Sequence, residues 1–198
     1  MAKKLLVLCM AAIMAVAALV AGCGSTEQKA ASDNKVLKVG TNADFAPFEF
    51  QDENGKEYQG FDMDLIRAIG EEMGYKVEIS NIQFDGLIPA IQAGNIDVAI
   101  TGMTINEERK QNVLFSDPYY KSGLSIIVAK DNNDIKTFQD LKGKKVAVQI
   151  GTTSAAEVNK IGGVEVKEFN SSADTFMELR ARYMDSVQTQ MPECAPDS

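Results

Sequence analysis

Residues 84–120, FDGLIPAIQAGNIDVAITGMTINEERKQNVLFSDPYY, gather the side chains best suited to holding a small anion. Arg109 carries a planar fork of donors that matches a carboxylate. It follows a polar turn, Thr101-Gly102-Met103-Thr104, and Thr104-Ile105-Asn106-Glu107 is a capping-box sequence that opens a helix. A helix start adds free backbone N–H groups and a positive dipole end. This spacing points to a site for a small carboxylate. It equally allows Arg109 to pair with Glu107 or Glu108 on a solvated helix face.

The elements that must position this turn are legible on both sides of it. Asp85 is expected to cap a short helix with Leu87, Ile88 and Ile91 on one face, ended by Gly94. Residues 96–100 read as a strand covered on both faces, which leaves the turn at its carboxyl end. Upstream, Val36, Leu37 and Val39 form a first strand, and a loop from Thr41 to Phe48 leaves its end. Asn54-Gly55 is a hairpin turn. Phe61, Leu65, Ile69 and Met73 recur every four residues as one apolar helix face, with Ile66 alongside and Gly74 closing the helix. Val77 and Ile79 alternate with polar residues as a second strand. Downstream the same logic restarts: strands at 124–128, 146–149 and 164–169, helices at 137–141, 153–160 and 173–179. Residues 179–187 faintly echo 91–99, each a helix end followed by an aspartate inside a strand. After Val187, QTQMPECAPDS suggests no further apolar helix or strand. Alternating strands and helices predict an α/β fold with parallel sheets, whose ligands sit at the carboxyl ends of strands.

Composition excludes several function classes. Formal net charge is −8, and it becomes −10 if Lys3 and Lys4 leave with the N-terminal segment. Nucleic-acid binding needs clustered cations and is not expected. The chain has no histidine, so the usual neutral-pH general base and the commonest metal ligand are missing. No metal and no cofactor is expected. Of the three cysteines, Cys9 lies in an apolar run, Cys23 follows small residues and Cys194 stands alone, so no disulfide framework is expected. Two lysines, an apolar run at 5–20 and small residues before Cys23 make residues 1–22 a secretory leader. Residues 23–35 are polar and read as a flexible tether.

FDGLIPAIQAGNID, GMTINEERK and FSDPYYKSG resemble the amino-acid-binding family of bacterial extracellular solute-binding proteins, the receptors of ABC importers for polar amino acids. GTNADFAPFEF, GFDMDLIRAIG and DLKGKKVAVQIGTT continue the similarity, which covers residue 36 to about 179. The resemblance implies a two-lobed, periplasmic-binding-protein-like α/β fold of type II. Its first lobe would span 36–124 and an incomplete second lobe 125–198, without the returning strand and closing helices usual in the family. Weak binding and marginal stability are the expected consequences.

The resemblance also assigns roles. Arg109 would take the ligand carboxylate, with Thr104, the backbone of Thr101 and Gly102, and Thr153 from the second lobe. Phe45 and Phe84 would wall the side chain. Asn42 stands where some relatives have aspartate, Gln149 where a longer cationic group occurs, and Gln190 where an aspartate is usual. Neutral Asn42 and Gln149 make glutamine the first ligand expected. Val20-Ala21-Gly22-Cys23 resembles a lipobox, implying lipidation of Cys23 and anchorage at the outer face of the cytoplasmic membrane or in the periplasm. The implied partners are the amino acid and the importer's membrane subunits. No catalytic residue is assigned. The alternatives are a non-binding fragment of the family, or lyase or dehydratase chemistry using Asp44, Asp85 and Glu107 as acid and base.

Overall fold

The computed structural model describes residues 35–192. The expected leader, Cys23, Cys194 and the tether up to residue 34 lie outside the described residues. Two cores, each a sheet with helices, build the described chain; the first sheet is parallel, as expected, and the second is mixed, with one antiparallel pair.

The first sheet has the order β5-β1-β6, with all pairs parallel. β1 is Lys35–Thr41, β5 Tyr75–Asn81 and β6 the two-residue Val98–Ala99, shorter than the five-residue strand expected from the apolar run. A small antiparallel sheet of β2 (Asp44–Phe45), β3 (Glu49–Gln51) and β4 (Tyr58–Gln59) projects from the loop after β1. Asp52 closes its hairpin by accepting the backbone N–H groups of Lys56 and Glu57. Between β4 and β5 runs α1, Phe61–Met73, ended by Gly74 in the left-handed conformation.

The buried face of α1 is not the predicted Phe61, Leu65, Ile69, Met73 stripe. Met63, Ile66 and Gly70 face the sheet, together with Asp62, while Phe61, Ile69 and Met73 are exposed and Leu65 is half-buried. The reason is close approach: a Cβ on Gly70 would sit 2.3 Å from a methyl of Val77. The helix packs through its glycine, and this turns the i+4 stripe toward solvent. Met63 and Ile66 then join Val39 and Ile100 as one core, flanked by Leu37, Val77 and Ile79. Phe61 stacks instead on Tyr119 at 6.0 Å.

A 3₁₀ turn at Phe84–Gly86 leads into α2, Leu87–Gln92. Asp85 makes no side-chain cap here, contrary to the cap expected of it; Gly86 occupies the N-cap and the turn itself supplies the helix entry. α3, Glu107–Lys110, starts two residues later than the capping-box sequence suggests. Asn106, not Thr104, is its N-cap, accepting the N–H of Arg109 at 2.8 Å. Asn is at least as good a cap as Thr, and its choice frees the Thr104 hydroxyl.

The second sheet has the order β7-β10-β8-β9. β7 is Ser122–Val128, β8 Lys145–Gln149, β9 Glu165–Phe169 and β10 Ser186–Pro192. The lobe boundary expected at 124/125 falls inside β7, every residue of which pairs with β10. β10 is also the strand that residues after Val187 were not expected to form. Polar Gln188, Thr189 and Gln190 lie in it because β7 pairs antiparallel with their backbone, while β8 pairs only with Ser186 and Val187 at the strand's start. β8 is buried on both faces. Val146 and Val148 pack with Leu141, Ala155 and Val158 on one side, and Ala147 packs with Leu179 and Val187 on the other. The covering helices are α4, Thr153–Asn159, and α5, Ser172–Arg180; residues 137–141 form a 3₁₀ turn, Phe138–Leu141, with a Thr137/Asp140 capping box.

The echo between 91–99 and 179–187 has a structural basis. Asp97, just before β6, accepts the N–H of Lys38 at 2.8 Å and donates its own N–H to the Lys38 carbonyl. Asp185, just before β10, does the same to Lys145, at 2.7 Å for the side-chain bond. Each aspartate fastens the entry of a strand to the neighbouring parallel strand, in the same position in both sheets. Among the described residues no helix is long and apolar enough to cross a membrane.

Candidate functional site

The carboxyl ends of β1, β6 and β8 and the start of α4 meet at one cleft. All nine residues singled out from the sequence line it: Asn42, Phe45, Phe84, Thr101, Gly102, Thr104, Arg109, Gln149 and Thr153. Arg109 is only 8 % exposed, so the alternative of a solvated ion pair fails; Lys110 pairs with Glu107 at 2.8 Å instead. One arm of the Arg109 fork donates to the Thr104 carbonyl at 2.8 Å, and the other crosses to the Gly151 carbonyl at 3.0 Å. The guanidinium lies 5.4 Å from the centre of the Phe84 ring, which supports it from behind. Burial pulls its pKa below the usual arginine value, with Glu108 acting in the opposite sense. Gly151 has φ +74°, and a Cβ there would come within 2.9 Å of the Asp85 Cβ, so only glycine lets the two lobes touch at this point.

Polar bonds cross the cleft elsewhere. Gln149 donates to the Asn42 side-chain oxygen at 2.7 Å, and the Thr104 and Thr153 hydroxyls lie 3.3 Å apart. Asp44 accepts the N–H of Ser172, at the start of α5, at 2.9 Å. Its other carboxylate oxygen is buried with no partner among the described residues. Burial raises the Asp44 pKa, Asp174 adds to the rise, and the Ser172 N–H opposes it.

Behind the Thr101-Gly102 turn sits a buried acid pair. Glu49 is 1 % exposed and accepts the Thr101 hydroxyl at 3.0 Å. Asp62 accepts the Gly102 N–H at 3.0 Å and the Tyr119 hydroxyl at 2.9 Å. Burial, then the charge of Asp62, pushes the Glu49 carboxyl up to about 10, so it is a neutral acid at pH 7. Burial also raises the pKa values of Asp62 and Tyr119. The pair sits behind the turn and accepts its Thr101 hydroxyl and Gly102 N–H.

Sequence reasoning missed Glu49 and Gln188 as cleft residues, named Asp44 only as an acid/base group in the lyase alternative, and counted Gln190 only as a lost aspartate. Period-two alternation along β10 places Gln188 and Gln190 on one face, and this signal required recognising the strand. Gln188 is 1 % exposed with neither carboxamide atom partnered among the described residues. Replacing Gln188 by leucine removes that unsatisfied group and is expected to stabilise the chain by about 1–3 kcal/mol. A lower urea midpoint for Gln188→Leu than for the parent would show that the carboxamide is satisfied after all. Glu107 is far too exposed to join Asp44 as an acid/base pair, since it faces solvent with Lys110. Among the described residues no group of three or more Cys, Asp or Glu is placed to hold a metal ion.

A cleft walled by two sheet ends, with an arginine fork between threonines of both halves, fits the resemblance noted above. The model of the bacterial extracellular solute-binding proteins, family 3, matches residues 37–193. The chain belongs to that family. It is 34% identical over 188 residues to the arginine-binding extracellular protein ArtP of Bacillus subtilis, covering 93% of this chain and 72% of that one. It is 33% identical over 153 residues to the L-cystine-binding protein TcyJ of Escherichia coli, covering 76% of this chain and 57% of the relative. An ancestral arginine-binding protein solved with arginine superposes with a TM-score of 0.77 at 52% identity, covering 78% of this chain and 70% of that one. ArtP and TcyJ, at 34% and 33% identity to this chain, are thus named for different ligands. Ligand choice must be argued from the cleft.

Proposed function

We propose that the chain is an extracytoplasmic receptor that captures an L-amino acid and presents it to the membrane subunits of an ABC importer. The observation that carries this reading is Arg109, a buried arginine that joins the Thr104 and Gly151 carbonyls of opposite lobes in the cleft that the Thr104 and Thr153 hydroxyls also line. A carboxylate bound there could accept from the guanidinium, now held by the Thr104 and Gly151 carbonyls, and from both hydroxyls. It acts by binding and closure, and no step of bond chemistry is assigned to it.

For the side chain we favour a cationic ligand, arginine first. Asp44 lines the same cleft with a buried, unpartnered carboxylate oxygen, and a guanidinium would supply its missing donor. This replaces the expectation of glutamine, which rested on neutral Asn42 and Gln149; those two carboxamides already bond to each other. Glutamine remains the second reading, since a rearranged Gln149–Asn42 pair would offer a matching donor and acceptor. Calorimetry of the full chain against the twenty amino acids and cystine tests both. Arginine is expected to bind tightest, and Asp44→Asn to remove that preference. Absence of heat with every amino acid would end the receptor reading.

Lipidation of Cys23 belongs to the same proposal, supported by the basic start, the apolar run and the small residues before it. Cys23→Ser expressed in a bacterial host is expected to move the protein from the membrane to the soluble extracytoplasmic fraction. Unchanged membrane retention would rule the lipid anchor out.

A further inference from the structure

The Gln190 side chain occupies the point at which the proposed ligand carboxylate would bind. Its amide nitrogen donates to the Thr104 hydroxyl and, at 3.2 Å, to the Thr153 hydroxyl. Thr104 belongs to the turn after β6 and Thr153 opens α4, so one carboxamide bridges both lobes. An –NH₂ group has two donors and can serve two hydroxyl oxygens at once. A carboxylate would use the same hydroxyls in the opposite sense, as donors to its oxygens. The two arrangements exclude each other. With Gln190 in place the cleft encloses only about 40 Å³, little more than one water's share of about 30 Å³ and far below the roughly 300 Å³ at which small-molecule sites begin.

We propose that Gln190 is a built-in competitor and latch: its carboxamide holds the two lobes together through Thr104 and Thr153 and must withdraw before an amino acid binds. This rests on the amino-acid reading of the same cleft. Apparent affinity is the intrinsic affinity scaled by the fraction of molecules with Gln190 withdrawn, and the side chain therefore sets the concentration at which the receptor responds. Gln190 lies on the same face of β10 as buried Gln188, so its withdrawal is a rotation of its own side chain outward and leaves the strand pairing intact.

The test uses the full chain, with Gln190→Ala and Gln190→Asn, whose shorter arm cannot span both hydroxyls. Arginine affinity is read by calorimetry. Interlobe distance without added amino acid is read between spin labels at Glu72→Cys and Glu165→Cys, with the three native cysteines replaced by serine. Both variants are expected to bind arginine at least tenfold more tightly than the parent and to show a longer or broader interlobe distance. Binding by the parent with equal or weaker affinity in both variants overturns the competitor and leaves the receptor reading standing. A distance that lengthens while no chain binds any amino acid keeps the latch and overturns the receptor reading. No binding and no change in distance overturns both.

Discussion

Arg109→Ala is expected to weaken amino-acid binding by about 2–5 kcal/mol, or roughly thirtyfold to several thousandfold, because it removes the charged partner of a buried charge. The buried position of Arg109 decides the size of the effect. An exposed arginine pairing with Glu107 would change affinity little. In the folded chain the guanidinium is held by the carbonyls of Thr104 and Gly151 and backed by Phe84, so its fork is oriented before a ligand arrives. Arg109→Lys keeps the charge and loses the fork; it is expected to recover part of the affinity and not all of it. Calorimetry with arginine checks both variants. An Arg109→Ala affinity within twofold of the parent would refute the role. Because Arg109 also joins the lobes at Gly151, the alanine variant should melt earlier even without ligand, and binding must be compared well below its midpoint.

The second large effect is a pH dependence of stability. Glu49 has a folded pKa of about 10 against an ordinary value of 4.5. Between those two values the unfolded chain has released a proton that the folded chain still holds. Stability contributed by this group is therefore complete below about 4.5 and falls as pH rises toward about 10. At pH 7 the loss is about 3 kcal/mol, from roughly 1.4 kcal/mol for each pH unit crossed. Glu49→Gln has no proton to lose, and its carboxamide can still donate to Asp62 and accept from Thr101. The variant is expected to match the parent near pH 4 and to exceed it by a few kcal/mol at pH 7–8. Urea midpoints measured from pH 4 to pH 9 decide this, and parallel curves for parent and variant would show that Glu49 is ionised in the folded chain. Asp62 is also raised by burial and interacts with Glu49, so the difference between the curves reports the titration of the coupled pair.

This device also explains why the Thr101-Gly102 turn keeps its shape. Four elements converge on the acid pair: β3 through Glu49, α1 through Asp62, the turn through the Thr101 hydroxyl and Gly102 N–H, and the segment before β7 through Tyr119. The turn in turn holds Asn42, whose N–H donates to the Thr101 hydroxyl at 3.0 Å. A shift of Glu49 would pass through Thr101 to the mouth of the cleft.

The sequence by itself determined the class of fold, the order of elements and nine cleft residues. Strand and helix periodicities are local, and the turns after parallel strands gather at one edge whatever the detailed packing. Motif similarity then placed Arg109, Thr104 and Thr153 at those turns. Tertiary structure decided what pairing and burial control. Gly70 brought α1 close to Val77 and turned its predicted apolar stripe outward, because packing through a missing side chain overrides an i+4 pattern. Asn106 displaced Thr104 as a cap, and so freed the Thr104 hydroxyl for the cleft. The polar residues 188–190 became a strand because β7 supplied antiparallel backbone partners along their length and β8 anchored the strand's start at Ser186 and Val187, a long-range condition that no local pattern encodes. Glu49 and Asp62 read along the chain as ordinary surface acids. Folding buried them beside each other, and burial first, then the neighbouring carboxylate, keeps Glu49 neutral.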